Sequence, residues 1–285
     1  MVPTATFEDR MKIFASCLVK NEADIIEETL LAASKWSDSV FVFDNGSTDG
    51  TWEKVNALAA REPRIVPYKS SAVPYRDSLR GEIFKAFRQV ASAGDWWCKL
   101  DADEIYIDDP REFLIAVPAR HHVVWGVYFQ HYFTDADAAR YEADPLAFPP
   151  HTSAELALRY YRCDYSEVRF FRYRPGLVWE QGSAPRHLGV VHPQRIRFRH
   201  FQYRSPQQIA IRLTTRQQAI ADGCEHFADY SSESDWRAKI VSASTCHHAG
   251  DSGGYEIDES AVPRHLESAP QRLAKYFMHG TGLWA

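Results

Sequence analysis

The sequence has no apolar run near the ~18 consecutive residues that a membrane-spanning helix requires. Its first twelve residues carry Glu8, Asp9 and Arg10 where a secretory leader would be apolar. The expected location is therefore the cytoplasm. Cysteine is sparse: Cys17, Cys98, Cys163, Cys224 and Cys246 are odd in number, scattered and without a C-x-x-C pair. That excludes a disulfide framework and predicts inert thiols in a reducing compartment. Neither G-x-x-x-x-G-K-[ST] nor G-x-G-x-x-G occurs, which removes the P-loop and dinucleotide-binding readings. With 45% hydrophobic and 25% charged residues over 285 positions, the chain is not collagenous, coiled or disordered, and its length suits one main domain.

Lysine is missing from residues 159–216, which hold twelve arginines and only three acids, Asp164, Glu167 and Glu180. This surplus of nine positive charges in a chain of net charge −5 leaves −14 for the remainder. Arginine interleaved with aromatics, as in Arg169-Phe170-Phe171-Arg172-Tyr173-Arg174, suits bidentate contacts to phosphate or carboxylate. It also suits a strand face whose stems pack on rings. The first reading predicts an anionic acceptor, or contact with an anionic membrane leaflet.

Apolar runs alternate with amphipathic segments over the first hundred residues, the pattern of βαβ units and a largely parallel sheet. Strands are predicted at 13–19, 39–43, 64–68 and 96–100, with helices at 23–34, 50–60 and 79–93. A helix from Pro110 to Val117 and a buried strand over 122–133 follow. Residues 134–158 read as a long functional loop. A strand over 195–204 leads to a helix opened by Ser205-Pro206-Gln207-Gln208 and closed at Gly223.

In an open parallel sheet, ligands bind beyond the carboxyl ends of the strands. Three strand tips are rich in polar groups: Lys20-Asn21-Glu22, Asp44 to Thr51, and Asp101-Ala102-Asp103-Glu104. Asp101 and Asp103 at i, i+2 could share one hard cation such as Mg²⁺ or Mn²⁺. A second Asp-x-Asp, Asp135 to Asp137, competes with them but enters an alanine-rich segment instead of a strand–turn–helix frame.

The ordered trio Cys17-Leu18-Val19-Lys20-Asn21-Glu22, Phe43-Asp44-Asn45-Gly46-Ser47-Thr48-Asp49-Gly50-Thr51 and Leu100-Asp101-Ala102-Asp103-Glu104 resembles the family 2 glycosyltransferases of the GT-A fold. The resemblance covers about residues 12–130. A weaker continuation at Arg199-His200-Phe201-Gln202-Tyr203-Arg204-Ser205 resembles short bacterial members. It implies an α/β GT-A sheet with helices on both faces and a helical C-terminal extension. The domain would run over 12–222, with a nucleotide-binding half (12–130), an acceptor-side half (131–222) and an extension at 223–285. It further implies that Asp44 contacts the nucleotide base, that Asp101 lies near the ribose and that Asp103 binds the metal. Asn21 and Glu22 would close over the nucleotide, and Arg80, with Arg76 as its rival, would approach the base or phosphate.

The acid pair that supplies the family's general base is absent between residues 110 and 250. Glu180, beside Trp179 in the arginine-rich stretch, is the expected base, with Asp164, Glu167 and the Asp135/Asp137 pair as rivals. His200 is either a core histidine on a face shared with Ile196 and Phe198 or a third ligand of a divalent metal. Cys246-His247-His248 lacks a second ligand pair and reads as structural.

The expected activity is inverting, metal-assisted transfer of a sugar from a nucleotide-sugar donor to a hydroxyl of a glycan or lipid-linked acceptor, in bacterial surface polysaccharide or glycoconjugate synthesis. Peripheral membrane contact is allowed and nucleic acid is not expected. The alternatives are a nucleotidyltransferase on the same frame and a non-catalytic binder of acidic polymers. An exposed strand-tip Asp103 would contribute little to packing.

Overall fold

The computed structural model describes residues 11–145, 153–230, 235–250 and 254–284. Its first half is the expected alternation: β1 (Ile13–Val19), α1 (Ile26–Trp36), β2 (Ser39–Asp44), α2 (Thr51–Ala59), β3 (Ile65–Ser70), α3 (Leu79–Phe87) and β4 (Trp96–Asp101). These strands pair in parallel in the order β3-β2-β1-β4. Strand β1 shows why. Ile13, Ala15, Cys17 and Val19 point to one face and pack with Ile26 and Leu30 of α1 and Val55 and Leu58 of α2. Phe14 and Leu18 point to the other and pack with Leu79, Ile83 and Phe84 of α3. Both faces are covered, so the strand is apolar except at Ser16, whose buried hydroxyl donates to the Cys98 carbonyl. Gly81 is the one residue of α3 that tolerates the carbonyl of Trp179 against its Cα; a Cβ there would collide with that oxygen.

Beyond β4 the sheet turns mixed. Strands β5 (Glu104–Tyr106), β6 (Val123–Tyr132), β7 (Tyr160–Arg172) and β8 (Ile196–His200) extend it in the order β4-β7-β6-β8-β5. Strand β7 runs antiparallel to both β4 and β6. The GT-A expectation of an α/β sheet with helices on both faces is met. Its thirteen-residue central strand β7 was not predicted, because two register shifts against β6 break the alternation that would reveal it. A third helical layer packs α7 (Pro206–Ala221) through Ile209 and Leu213 onto Phe133, Phe201 and Tyr203. After it come short 3₁₀ turns, β9 (His247–His248) against β7, and α8 (Ala269–Gly280). His247 there stacks on Tyr161, and His248 meets the Tyr160 ring edge-on. No helix among the described residues is long and apolar enough to cross a membrane.

Two expectations are corrected. The segment 134–158 is not a structureless loop in its described part: it holds α5 (Asp135–Ala143) and a single turn, α6 (Ala154–Ala157). Residues 146–152 lie outside the described residues. Helix α5 escaped notice because it buries only Asp137 and Ala138 and so has no apolar stripe. Asp135–Asp137 is a helix start, not a metal site. Asp137 and Thr134 form a reciprocal capping box, while Asp135 accepts hydrogen bonds from the Ser242 hydroxyl and the Ala243 amide.

The arginine-rich stretch is likewise internal rather than an acceptor surface. Arg169 is 1% exposed and pairs with Asp101, Glu104 and Glu167. Arg172 lies 4.4 Å over the Trp96 ring and donates to the carbonyls of His121, Gly94 and Val117. Arg174 donates to the carbonyls of Leu188 and His187. Arg195, Arg197 and Arg199 pair with Glu259, Asp108 and Glu155. The arrangement reflects geometry: a planar fork satisfies several buried carbonyls or carboxylates at once, which an ammonium does not.

Asp137→Ala should lower stability by about 0.5–2 kcal/mol, the usual cost of a lost cap, and leave nucleotide binding unchanged. Denaturant midpoints and a nucleotide titration measure the two; loss of binding with an intact fold would restore the second Asp-x-Asp to the site.

Candidate active site

A cleft of about 410 Å³ opens where the carboxyl ends of β1 and β4 meet β7, β8 and α7. Lys20, Asn21 and Glu22 reach it from β1, Asn45 from β2, Asp101 and Asp103 from β4, Glu167 from β7 and His200 from β8, while Arg212 and Arg216 face it from α7. This is the crevice that a parallel sheet offers to ligands. Of the eight residues singled out in the sequence, Asn21, Glu22, Arg80, Asp101, Asp103 and His200 line it, whereas Asp44 and Glu180 do not.

Asn21 adopts φ +56° and ties two loops together. Its backbone amide donates to the Ser47 hydroxyl at 2.8 Å, its Oδ1 accepts from the Thr48 amide, and its Nδ2 donates to Thr215 of α7. Asp44 closes the same loop. It is fully buried and accepts from the Gly46 and Ser47 amides and the Ser70 hydroxyl. Gly46, at φ +74°, makes that turn feasible, since a Cβ there would also meet Ala72. The Asp44 carboxylate is thus engaged within the loop. Its neighbour Asn45 lines the cleft, donating from Nδ2 to the Ser71 and Val73 carbonyls and leaving a buried Oδ1 without a partner.

The two aspartates of the β4 tip sit in separate cationic cages. Asp101 pairs with Arg80 and, at 3.2 Å, with Arg169. Asp103 lies 3.1 Å from Arg212, 3.9 Å from Arg204 and 3.3 Å from Nε2 of His200. Burial works to raise both carboxyls but is outweighed, by Arg80, Arg169 and Lys99 at Asp101 and by His200, Arg212 and Arg204 at Asp103, so both are held below the ordinary range. Glu167 is lowered in the same way: Arg169 and Lys99 overcome its burial. At Glu22 burial prevails over its partners Arg204 and Arg212, and its carboxyl is raised.

Asp103 is 3% exposed, which corrects the expectation of an exposed tip that contributes little to packing. Sequence reasoning also missed Asn45, Arg212 and Arg216. The arginine pair was legible as i, i+4 on one face of a helix already predicted. Glu180 is exposed, in a segment whose Trp179 packs on α3 and whose Ser183 reaches the cleft.

Residues 18–155 match the model of glycosyl transferase family 2, and that match marks the chain as a glycosyltransferase. No curated protein matches the chain. Among solved structures, similarity extends to a mannosyltransferase from Pyrobaculum calidifontis, in complex with GDP-Man and Mn²⁺. The identity is 15% over 78% of this chain and 69% of that one, with a TM-score of 0.42. It extends also to residues 1–349 of S. aureus TarS in complex with UDP, at 20% identity over 43% of this chain and 36% of that one, with a TM-score of 0.29.

Asp103→Ala strips buried Arg212 of an acidic partner and should cost about 3–5 kcal/mol, read as a denaturant midpoint; an unchanged midpoint would refute the cage. Because Asp101 and Asp103 have depressed folded values, their stabilisation is present above the unfolded value of ~3.9 and is lost as pH falls below it. Glu22 shifts the other way, so its contribution is present in acid and fades as pH rises. An acid transition below pH ~4 that moves in Asp103→Asn is the expected result of a pH–stability series.

Proposed function

We propose that the protein transfers a sugar from a nucleoside-diphosphate donor to a hydroxyl of a carbohydrate or lipid-linked acceptor, with inversion at the anomeric carbon. The observation that carries this reading is the convergence of Asn21, Asn45, Asp101 and Asp103 from three strand tips on one cleft. Transfer requires that the charge developing on the leaving diphosphate be neutralised, that the acceptor hydroxyl lose its proton, and that both reactants be aligned. Arginines supply fixed positive charge beside the aspartates, already oriented and shielded from water, where it is worth most.

The residues present also fit a divalent ion. Asp103 Oδ1 and His200 Nε2 are 3.3 Å apart, a separation two ligands of one ion can adopt, and carboxylate with imidazole suits Mn²⁺. Asp101, Glu104 and Glu167 bring further carboxylate oxygens within 4.8 Å of one another. Asp103 and His200 would hold the ion, which when bound supplies Lewis-acid stabilisation of the departing diphosphate.

Glu180 is the acceptor-side base in this reading. Unlike Glu167, fixed by Lys99 and Arg169, it is exposed on a segment bracketed by Trp179 under α3 and Ser183 at the cleft. Among the described residues no guanidinium pairs with it, and such a carboxylate can accept a proton that a clamped one resists.

Thermal unfolding with UDP, GDP, dTDP or CMP, with and without Mn²⁺, tests the donor. One nucleotide should stabilise by ~2.7 kcal/mol at a hundred times its dissociation constant. Stabilisation by none would overturn the reading, and a response to polyanions and salt alone would favour an acidic-polymer binder. Glu180→Gln should keep nucleotide affinity while transfer slows by ~10²–10⁴-fold. A near-normal rate in that variant, with a collapse in Glu167→Gln, would move the base to β7.

A further inference from the structure

Helix α7 turns Arg212 and Arg216, one turn apart, toward the cleft. Their surroundings differ. Arg212 is neutralised by Glu22 and Asp103. Arg216 forms no ion pair or hydrogen bond among the described residues, and its Nε is buried without a partner. Its guanidinium instead lies 3.7 Å from the ring centroid of Phe227 and 6.0 Å from that of Tyr75, two rings that themselves pack 5.0 Å apart at the cleft wall. Stacking fixes the plane of the group while leaving the N–H edge free to donate.

The nearby acids are otherwise engaged. Asp77 accepts from the Tyr75 hydroxyl and Asp222 from Gln218 on the same helix. Burial, then the charge of Arg212, press on the Arg216 cation and lower its pKa. An oriented, partly desolvated cation without an anion, beside the cage that holds Asp103, lacks only its counter-charge.

We infer that Arg216 is a binding residue for the diphosphate of the donor, the role that sequence resemblance gives to Arg80. Arg80 is closed off by its pair with Asp101; Arg216 has its donors available. The inference rests on the nucleotide-sugar reading above and adds to it the residue that grips the phosphates from α7. The donor is preferred over a phosphorylated acceptor as the anion source because Arg216 lies over Tyr75, in the loop that Asn45 of the β2 tip holds through the Ser71 and Val73 carbonyls, and lies farther along α7 from Asp103 than Arg212 does.

The experiment measures dissociation constants of uridine, UMP, UDP, guanosine, GMP and GDP for the intact chain and for Arg216→Gln and Arg216→Lys. In the base series that the native chain binds, Arg216→Gln should weaken the diphosphate by about ten- to a hundredfold, as expected for losing a charged hydrogen bond, and leave the nucleoside within about twofold. Arg216→Lys should recover part of the loss, because a point charge keeps attraction without the fork. Equal weakening of nucleoside and diphosphate would make Arg216 a packing residue and overturn the inference. Unchanged diphosphate affinity would overturn it too and would direct the cation to the acceptor. Binding of no nucleotide by the native chain refutes the donor reading itself, an outcome the variants cannot mimic. If Arg216→Gln does not fold, Arg216→Lys, which keeps the stem over Phe227, decides through the same ratio.

Discussion

Buried guanidinium groups locked onto carboxylates hold this molecule's active face together. Arg169 joins β7 to the β4 tip through Asp101 and Glu104, Arg204 joins the β8 end to the β1 tip through Glu22 and Asp24, and Arg212 joins α7 to both tips through Glu22 and Asp103. Taking such ions from water costs several kcal/mol each, and only near-complete pairing offsets it. Each pair therefore works as a geometric constraint more than as a source of stability. Strand tips, normally the most mobile parts of a parallel sheet, are fixed relative to one another because moving any one would strand a buried charge.

That constraint shapes the chemistry available. Carboxylates held ionised by arginines arrive at the cleft oriented and charged, so little reorganisation is needed when an anionic ligand enters. The balance is close: Arg80 is matched to Asp101, Lys99 to Glu167 and Arg212 to Asp103 and Glu22. A balanced wall neither repels a diphosphate nor attracts one strongly, which leaves net attraction to whatever positive charge exceeds the pairs. Among the described residues of the wall, that excess lies at Arg216 and at Lys20, neither of which has an ion pair.

The first half of the chain was legible from sequence because its signals are local. Apolar runs covered on both faces give strands, capped amphipathic segments give helices, and the three polar tips followed from where those strands ended. The other half resisted for equally physical reasons. Strand β7 carries two register shifts, and α5 has no apolar stripe. The arginines were counted correctly and placed wrongly, because charge composition does not say whether a side chain turns inward. Asp44 illustrates the same limit at one residue: its position at the tip of β2 was right, yet the turn it caps consumes the carboxylate and hands the cleft wall to Asn45. Linkages such as Arg204 to Glu22, 182 residues apart in sequence, have no local signature at all.

The absence of lysine from 159–216 then acquires a reason in the fold. In this stretch a cation must satisfy partners on two or three elements at once: three carboxylates at Arg169, three carbonyls at Arg172, an aromatic ring pair at Arg216. An ammonium offers a point charge and no plane, so at each of these sites it would leave an acceptor unsatisfied or a ring uncovered. Structural and ligand-facing arginines are thus drawn from one pool by one requirement, and composition cannot separate them. What separates them is the inventory of acceptors around each fork: where the protein supplies them, the arginine is scaffold, and where they are missing beside a cleft, the ligand completes the set.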